Sequence, residues 1–128
     1  MILVTGGTGF IGRKLVAGLT AAGQPVRVLI RPSLQSPELP KGLPVEAAIA
    51  NLSDERSLRA ALSKVKIVYH LAGEERRGAY GNLMASDIAG TQALVRAAAD
   101  AGVERILFLS HLGADRASAY PLLKVKAI

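Results

Sequence analysis

The chain of 128 residues contains no cysteine and no tryptophan, and aromatic residues make up only 4% of it. Without cysteine it forms neither a disulfide framework nor a thiolate metal site. The two histidines, His70 and His111, lack the spacing with carboxylates that metal ligands show, so we expect no metal. Glycines from Gly6 onward interrupt the apolar start, and no run of about twenty apolar residues follows. These absences predict a cytoplasmic protein without a membrane span, whose core is built from Ala, Val, Leu and Ile.

Acidic residues are fewer than basic ones, 10 against 16, which gives a net charge of +6. The basic residues are scattered along the chain, and aromatic residues do not alternate with them as base-stacking platforms require. We therefore expect no nucleic-acid partner. A moderately basic surface also attracts a phosphorylated small molecule, and that alternative accounts for the charge equally well.

Short apolar runs alternate with helical stretches along the whole chain. Strands are predicted at 2–5, 25–30, 45–49, 66–71 and 103–109. Helices are predicted at 10–22, at 53–63, in a long stretch ending near 101, and from 118 onward. Residues 31–43, rich in proline, and the mixed-charge segment Glu74–Arg77 are predicted to be loops. Parallel strands joined by right-handed helical crossovers give an α/β fold, a doubly wound sheet with strand order 3-2-1-4-5.

Three glycines, Gly6, Gly9 and Gly12, follow the first predicted strand and open the first predicted helix. This context is typical of a turn that binds the pyrophosphate of a dinucleotide. Gly6 permits a sharp reversal of the chain, Gly9 leaves room for the phosphates, and Gly12 lets the helix pack close to the strand. The amides at the helix N-terminus then face the phosphates. The alternative is a strand–turn–helix connection that binds nothing.

The segment 4–12, Val-Thr-Gly-Gly-Thr-Gly-Phe-Ile-Gly, resembles the opening of the extended and atypical short-chain dehydrogenases/reductases. That superfamily includes nucleotide-sugar epimerases and dehydratases, and NmrA-like and complex-I-associated NAD(P)-binding proteins. Further segments resemble it in register, at 50–54, 69–73, 87–91, 107–110 and 120–124. The resemblance implies a Rossmann-type sheet and binding of a nicotinamide dinucleotide. In the atypical branch some members are redox enzymes, and others bind the nucleotide as sensors or structural subunits.

The cofactor site that motif and resemblance imply lies on the glycine turn and at the ends of three further strands. Its residues are Gly6, Thr8, Gly9, Phe10, Ile11, Gly12, Arg31, Asn51, Leu52, Leu71, Ala72 and Gly73. Arg31 stands where chains that select NAD carry an acid, and its guanidinium suits a 2′-phosphate, which Arg13 also reaches. We therefore expect NADP, with NAD possible; the alternative is that Arg31 is a solvated loop residue. Asn51 replaces the Asp that contacts adenine in the superfamily, and an amide can make the same hydrogen bond.

The resemblance implies catalytic roles for Tyr120, Lys124 and Ser110. On a helix Tyr120 and Lys124 would share one face, and a lysine ammonium beside a phenol lowers the pKa of that phenol, which suits acid–base chemistry on a carbonyl or hydroxyl. Ser110, after the fifth strand, would donate to the reacting oxygen. Asp87 replaces an Asn that orders a proton-relay water in the dehydrogenases. The alternative is that Tyr120 and Lys124 are an ordinary pair on a helix that only binds the cofactor.

Three further expectations concern histidine, assembly and extent. We expect His70 to be a hydrogen-bonded residue at a strand end rather than a general base.

Small residues at Ala97, Ala98 and Ala101 would allow close helix packing, and by analogy with the superfamily a homo-oligomer is possible. No stop signal follows the helix predicted from 118, so we expect residues 1–128 to be the N-terminal dinucleotide-binding part of a longer protein. Such a piece would be truncated before the sixth strand and would lack the segment that binds its small-molecule substrate.

Overall fold

The computed structural model of the chain describes residues 1–32, 39, 41–73 and 84–128. The remainder of the proline-rich loop and the segment Glu74–Arg77 lie outside the described residues. The strands are β1 Ile2–Thr5, β2 Val26–Ile30, β3 Val45–Ile49, β4 Ile67–His70 and β5 Arg105–Phe108. The α-helices are α1 Phe10–Ala21, α2 Glu55–Ala61, α3 Gly90–Asp100 and α4 Pro121–Lys126, with a π-helical segment, Met84–Ala89, directly before α3.

The five strands form one parallel sheet with the order β3-β2-β1-β4-β5, which confirms the predicted Rossmann-type arrangement. The central strand β1 has neighbours on both sides, and its last residue, Thr5, is level with Leu29 of β2 and His70 of β4. Every residue of β1 and β2 is buried, whereas both edge strands are largely exposed. Strands covered on both faces are uniformly apolar rather than alternating, which explains the unbroken Ile-Leu-Val run of β1.

Two hydrophobic clusters cover the two faces of the sheet. Leu3 packs in the cluster that contains residues of α2 and α3, such as Leu58 and Leu94. Its neighbours in β1 point to the opposite face, where Val4 packs in the cluster that contains Val16 of α1. This follows from the period of two along a strand. The helices therefore fix the sheet from both sides.

The final helix differs from its prediction in a way that bears on the site. It begins at Pro121 and not at residue 118, and Tyr120 precedes it in extended conformation with φ −84° and ψ 117°. Proline disfavours helical dihedrals in the residue before it but is tolerated in the first helical position. The expectation that Tyr120 and Lys124 both lie within one helix is therefore wrong, because Tyr120 is the residue that caps it.

The small residues of α3 pack against a second helix of the chain. Ala97 and Ala98 are 3% and 0% exposed, and they pack in the cluster that contains Leu58 and Ala61 of α2. They bring two helices of the same chain together, which confirms the prediction that Ala97 and Ala98 allow close helix packing.

One buried charge was not anticipated from the sequence. Arg27 of β2 is only 9% exposed, and its Nη1 donates to the carbonyl oxygens of Ala61, at 2.6 Å, and Ser63, at 2.8 Å. Its Nη2 lies 3.2 Å from Oε1 of Glu46 in β3. The guanidinium thus satisfies carbonyls at the C-terminal end of α2 and joins that end to two strands. Within the described ranges, no helix has the length and apolar content needed to cross a bilayer.

Candidate cofactor-binding site

The candidate site lies where β1 and β4 end side by side. The chain leaves β1 for β2 on one side, and β4 and β5 continue the sheet on the other. Ligands of open parallel sheets bind outside the carboxyl ends of the strands at such a reversal of strand order. The turn between β1 and α1, residues 6–9, projects from this edge.

Gly6 begins the turn in the left-handed region, with φ +70°. A β-carbon there would lie 2.7 Å from the carbonyl carbon and oxygen of Leu71. The turn therefore needs glycine for its conformation and for its close contact with the chain that leaves β4. Two predicted site segments, the glycine turn and Leu71–Gly73, are in this way brought together.

Gly12 is required for close packing. A β-carbon on Gly12 would overlap the carbonyl oxygen of Gly6 and would lie 2.7 Å from Cα of Gly7. The first turn of α1 thus packs closely against the residues that directly follow β1, and Val16 of the same helix packs with Val4 of the strand.

Gly9 differs from both, because the protein leaves space beside it. Its φ of −76° suits any residue, and an added β-carbon would come within 4 Å of a single described atom, the carbonyl oxygen of Gly6 at 3.3 Å. The conformation does not demand glycine at this position, and packing restricts an added β-carbon only through this one oxygen, which would have to shift slightly. A ligand that must approach the backbone closely would demand it.

The N-terminus of α1 beside Gly9 is suited to an anion. Gly9 is the N-cap, no side chain caps the helix, and its first turn contains no acidic residue. The first amides of a helix have no intrahelical acceptor, and the helix dipole favours negative charge there. An open cavity of about 320 Å³ beside this end is lined by Thr8, Phe10, Arg13 and Lys14. The donor set, amides with two cationic side chains, fits the phosphates of a dinucleotide.

The two cationic side chains that line this cavity contact neighbouring residues of the protein. Nε of Arg13 donates to the carbonyl oxygen of Thr8 at 2.8 Å. Nζ of Lys14 lies 5.6 Å from the centroid of the Phe10 ring, and both Phe10 and Ile11 are exposed. Lys14 was not singled out from the sequence, although its position one turn after Gly9 was a usable signal.

The other predicted cofactor residues lie along the same edge of the sheet. Arg31 is exposed directly after β2, and Asn51 is exposed shortly after β3. Oδ1 of Asn51 accepts a hydrogen bond from the amide of Ser53 at 3.0 Å and has a second lone pair for another donor. Leu52 is buried in the core, so its side chain supports the site from beneath.

A buried polar cluster joins the ends of β1 and β4 to α3. Oγ1 of Thr5 lies 2.7 Å from Nδ1 of His70, and Nε2 of His70 lies 2.8 Å from Oγ1 of Thr91. Burial, with the charge of Lys126 as a smaller cause, lowers the pKa of His70 from 6.5 to about 4. His70 is thus neutral at pH 7, and its position as a hydrogen-bonded residue at a strand end is confirmed. Nothing local in the sequence indicated Thr5 or Thr91 as its partners.

Asp87 is a second polar residue close to this cluster. It belongs to the π-helical segment and is buried, and a β-carbon on Gly73 would lie 3.2 Å from its Oδ2. π-Helical segments inside helices are frequent at functional sites. The carboxylate therefore lies directly against the segment that follows β4.

The residues predicted to be catalytic lie beyond β5 and are exposed. Ser110 follows β5 on the sheet edge that carries the glycine turn, and its Oγ is 3.5 Å from the carbonyl oxygen of Lys126. Tyr120 is 72% exposed, its backbone amide donates to Oγ of Ser118, and Lys124 is exposed in α4. Nδ1 of His111 lies 2.7 Å from the carbonyl oxygen of Leu112. Among the residues placed by the structure, no three His, Cys, Asp or Glu side chains cluster as metal ligands do.

Comparison with known proteins agrees with this geometry. Sterol demethylase protein B of Methylococcus capsulatus is 41% identical to the chain over 114 residues, 88% of this chain and 34% of the relative. Photosystem II assembly factor Ycf39 of Cyanophora paradoxa is 29% identical over 127 residues, 99% of this chain and 39% of the relative. UDP-glucose 4-epimerase of Thermus thermophilus, solved in complex with NAD, superposes with a TM-score of 0.79 and 28% identity. That match covers 98% of this chain and 47% of the epimerase.

The chain therefore spans between about a third and a half of the length of these relatives. The model of a family described as NAD(P)H-binding matches residues 6–127, which include the glycine turn, the end of β4 and α4. With that match over almost its whole length, the chain belongs to the NAD(P)H-binding family.

Proposed function

We propose that the chain binds NADP(H) on the glycine turn, as the cofactor domain of an oxidoreductase or epimerase that acts on a carbonyl or hydroxyl group. One observation carries the binding site: Gly9 is open at the N-terminus of α1, while Gly6 and Gly12 are closed by the protein's own backbone. Family membership and the NAD complex of the similar epimerase support the class of cofactor.

Each part of the site has a role in this proposal. The amides of α1, Arg13 and Lys14 bind the pyrophosphate, and Asn51 contacts the adenine. Arg31 binds the 2′-phosphate, for which a planar guanidinium is well suited. When bound, the cofactor supplies or accepts a hydride. Tyr120 exchanges a proton with the substrate oxygen, Ser110 donates a hydrogen bond to that oxygen, and Lys124 positions the nicotinamide ribose.

Charge reversal at Arg31 tests the preference for NADP(H). Arg31→Glu is expected to weaken NADPH binding by about 100-fold, because it removes an attraction to the 2′-phosphate and adds a repulsion. NADH affinity is expected to hold or rise, since a carboxylate accepts hydrogen bonds from the ribose hydroxyls. Titration calorimetry with both cofactors measures the two affinities.

Arg96→Glu is the matched control, because Arg96 is exposed on α3 and the charge change is the same. It is expected to leave the ratio of the two affinities unchanged. Equal losses of NADPH and NADH affinity in Arg31→Glu would show that Arg31 does not discriminate between them.

A second candidate function is nucleotide binding without turnover, as in a sensor or an assembly subunit. The position of Tyr120 favours it, because this residue precedes α4, is largely exposed and is fixed in extended conformation by Pro121. The similarity to a photosystem II assembly factor also supports it.

Tyr120→Phe in the full-length protein separates the two functions. If Tyr120 is the general acid, turnover is expected to fall by about 100-fold or more with little change in NADPH affinity. Tyr69→Phe in β4 is the control for loss of a phenol hydroxyl elsewhere. The non-catalytic function is supported instead if the full-length protein binds NADPH but reduces none of a panel of carbonyls and quinones.

A further inference from the structure

We propose that His70 is a positioning residue for the cofactor site, which fixes the segment Leu71–Gly73 through Thr5 and ties it to α3 through Thr91. This inference rests on the proposed function, because that segment lines the site next to the glycine turn. Its basis is a set of hydrogen bonds that runs from the amides of Leu71 and Ala72 through Thr5 and His70 to Thr91.

The hydroxyl of Thr5 joins the two amides to His70. Oγ1 of Thr5 lies 3.2 Å from the amide nitrogen of Leu71 and 3.1 Å from that of Ala72. Both amides are donors, so they occupy the two lone pairs of the hydroxyl oxygen. The hydroxyl proton must then point to the remaining neighbour, Nδ1 of His70 at 2.7 Å.

The direction of the Thr5 hydroxyl proton determines the tautomer of His70. Because Nδ1 accepts, the neutral ring carries its proton on Nε2, and that N–H donates to Oγ1 of Thr91 at 2.8 Å. Thr91 is the second residue of α3, so one imidazole joins β1, the end of β4 and the start of a helix. The ring is 1% exposed and also contacts the ring of Phe108 in β5, with centroids 5.8 Å apart.

The consequence for the site lies in the backbone that follows β4. The amide of Leu71 also donates to the carbonyl oxygen of Thr5, at 3.2 Å, and the carbonyl of Leu71 lies where a β-carbon on Gly6 would come within 2.7 Å of it. Without an acceptor at residue 70, the Thr5 proton loses its partner and the hydroxyl is no longer oriented with both lone pairs toward the amides. The segment is then free to move relative to the glycine turn, which changes the wall of the site.

Two substitutions of His70 separate the two bonds of its ring. His70→Leu removes both bonds. NADPH affinity is expected to fall by about tenfold, because only the bond to Thr5 orients the segment next to the glycine turn, and the loss of one buried hydrogen bond has about this effect. His70→Asn provides an amide oxygen at the place of Nδ1, so it is expected to recover most of this loss. Thr91→Val removes only the bond to α3 and is expected to resemble His70→Asn.

Measurements on the ligand-free chain provide a readout that overall stability does not control. The ¹⁵N shifts of His70 are expected to show an unprotonated Nδ1 and a protonated Nε2. Hydrogen exchange of the Leu71 and Ala72 amides is expected to quicken in His70→Leu more than that of Val28 in β2. An Nδ1-protonated ring in the wild-type chain would overturn the proposal whatever the affinities are.

The affinities distinguish failure of this inference from failure of the proposed function. Wild-type binding of NADPH together with unchanged affinity in folded His70→Leu would overturn the positioning role alone. A wild-type chain that binds neither NADPH nor NADH would overturn the proposed function, and the positioning role with it.

Discussion

Replacement of Gly9 by valine is expected to weaken NADPH binding by about 100-fold or more while the chain remains folded. The side chain would occupy the space from which the phosphates contact the backbone, and several charge-assisted hydrogen bonds would be lost together. The backbone at Gly9 has dihedrals that valine adopts, and only the carbonyl oxygen of Gly6 is close. The free energy of unfolding should fall by about 1–2 kcal/mol, because valine is a poor N-cap residue and the carbonyl oxygen of Gly6 must shift slightly. Calorimetric titration and urea unfolding measure the two quantities.

Two other glycines provide the controls. Gly18→Ala adds a β-carbon with no heavy atom within 4 Å, in the interior of α1. It should raise the unfolding free energy by about 0.5–1 kcal/mol and leave NADPH affinity unchanged. Gly12→Ala should destabilise the fold, because its β-carbon would overlap the backbone of Gly6. If Gly9→Val binds NADPH with wild-type affinity, the cofactor does not lie on this turn.

Acidification from pH 6.5 to pH 4 is expected to reduce the unfolding free energy by about 3 kcal/mol through His70 alone. In the unfolded chain the imidazole is protonated below pH 6.5, whereas in the folded chain its pKa is about 4. The unfolded state therefore binds more protons in this interval, so stability decreases as the pH falls. Below pH 4 both states carry the proton and the contribution of His70 is fully lost.

The contribution of His70 is isolated by comparison with a variant that does not titrate. In urea unfolding at several pH values, the unfolding free energy of the wild-type chain should fall by about 3 kcal/mol relative to that of His70→Asn between pH 6.5 and pH 4. His111→Asn is the control at an exposed histidine, and it should retain the acid-dependent loss of the wild type. Parallel curves for the wild type and His70→Asn would contradict this prediction.

The order of the strands was predictable because it depends on local signals. Each strand is a short apolar run, each helix has its own start or stop residue, and the right-handed crossover rule then determines the order. The burial of Arg27 and its hydrogen-bond partners were not predictable in the same way. In the run Val-Arg-Val-Leu-Ile this residue looks like a solvent-facing position, and only the arrival of α2 brings the carbonyls of Ala61 and Ser63 to it.

The site was predictable to a similar degree. The glycine spacing indicated the turn, but the contact of Gly6 with Leu71 joins segments that are far apart in the sequence. The bridge through His70 has the same origin, since Thr5 precedes its partner by 65 positions. Pro121 carried a local signal for the conformation of Tyr120, and the structure shows that this signal outweighs the helical spacing to Lys124.

The central place of β1 in the sheet has a consequence for synthesis of the protein on the ribosome. This strand is made before the other four, yet its neighbour β4 is completed more than 60 positions later. At about 5–20 residues per second, several seconds separate the two events. During this interval Leu3 and Val4, which are fully buried in the native sheet, have no complete surface to pack against. We therefore expect co-translational folding to wait for β4, and nascent chains that end before it to be protease-sensitive.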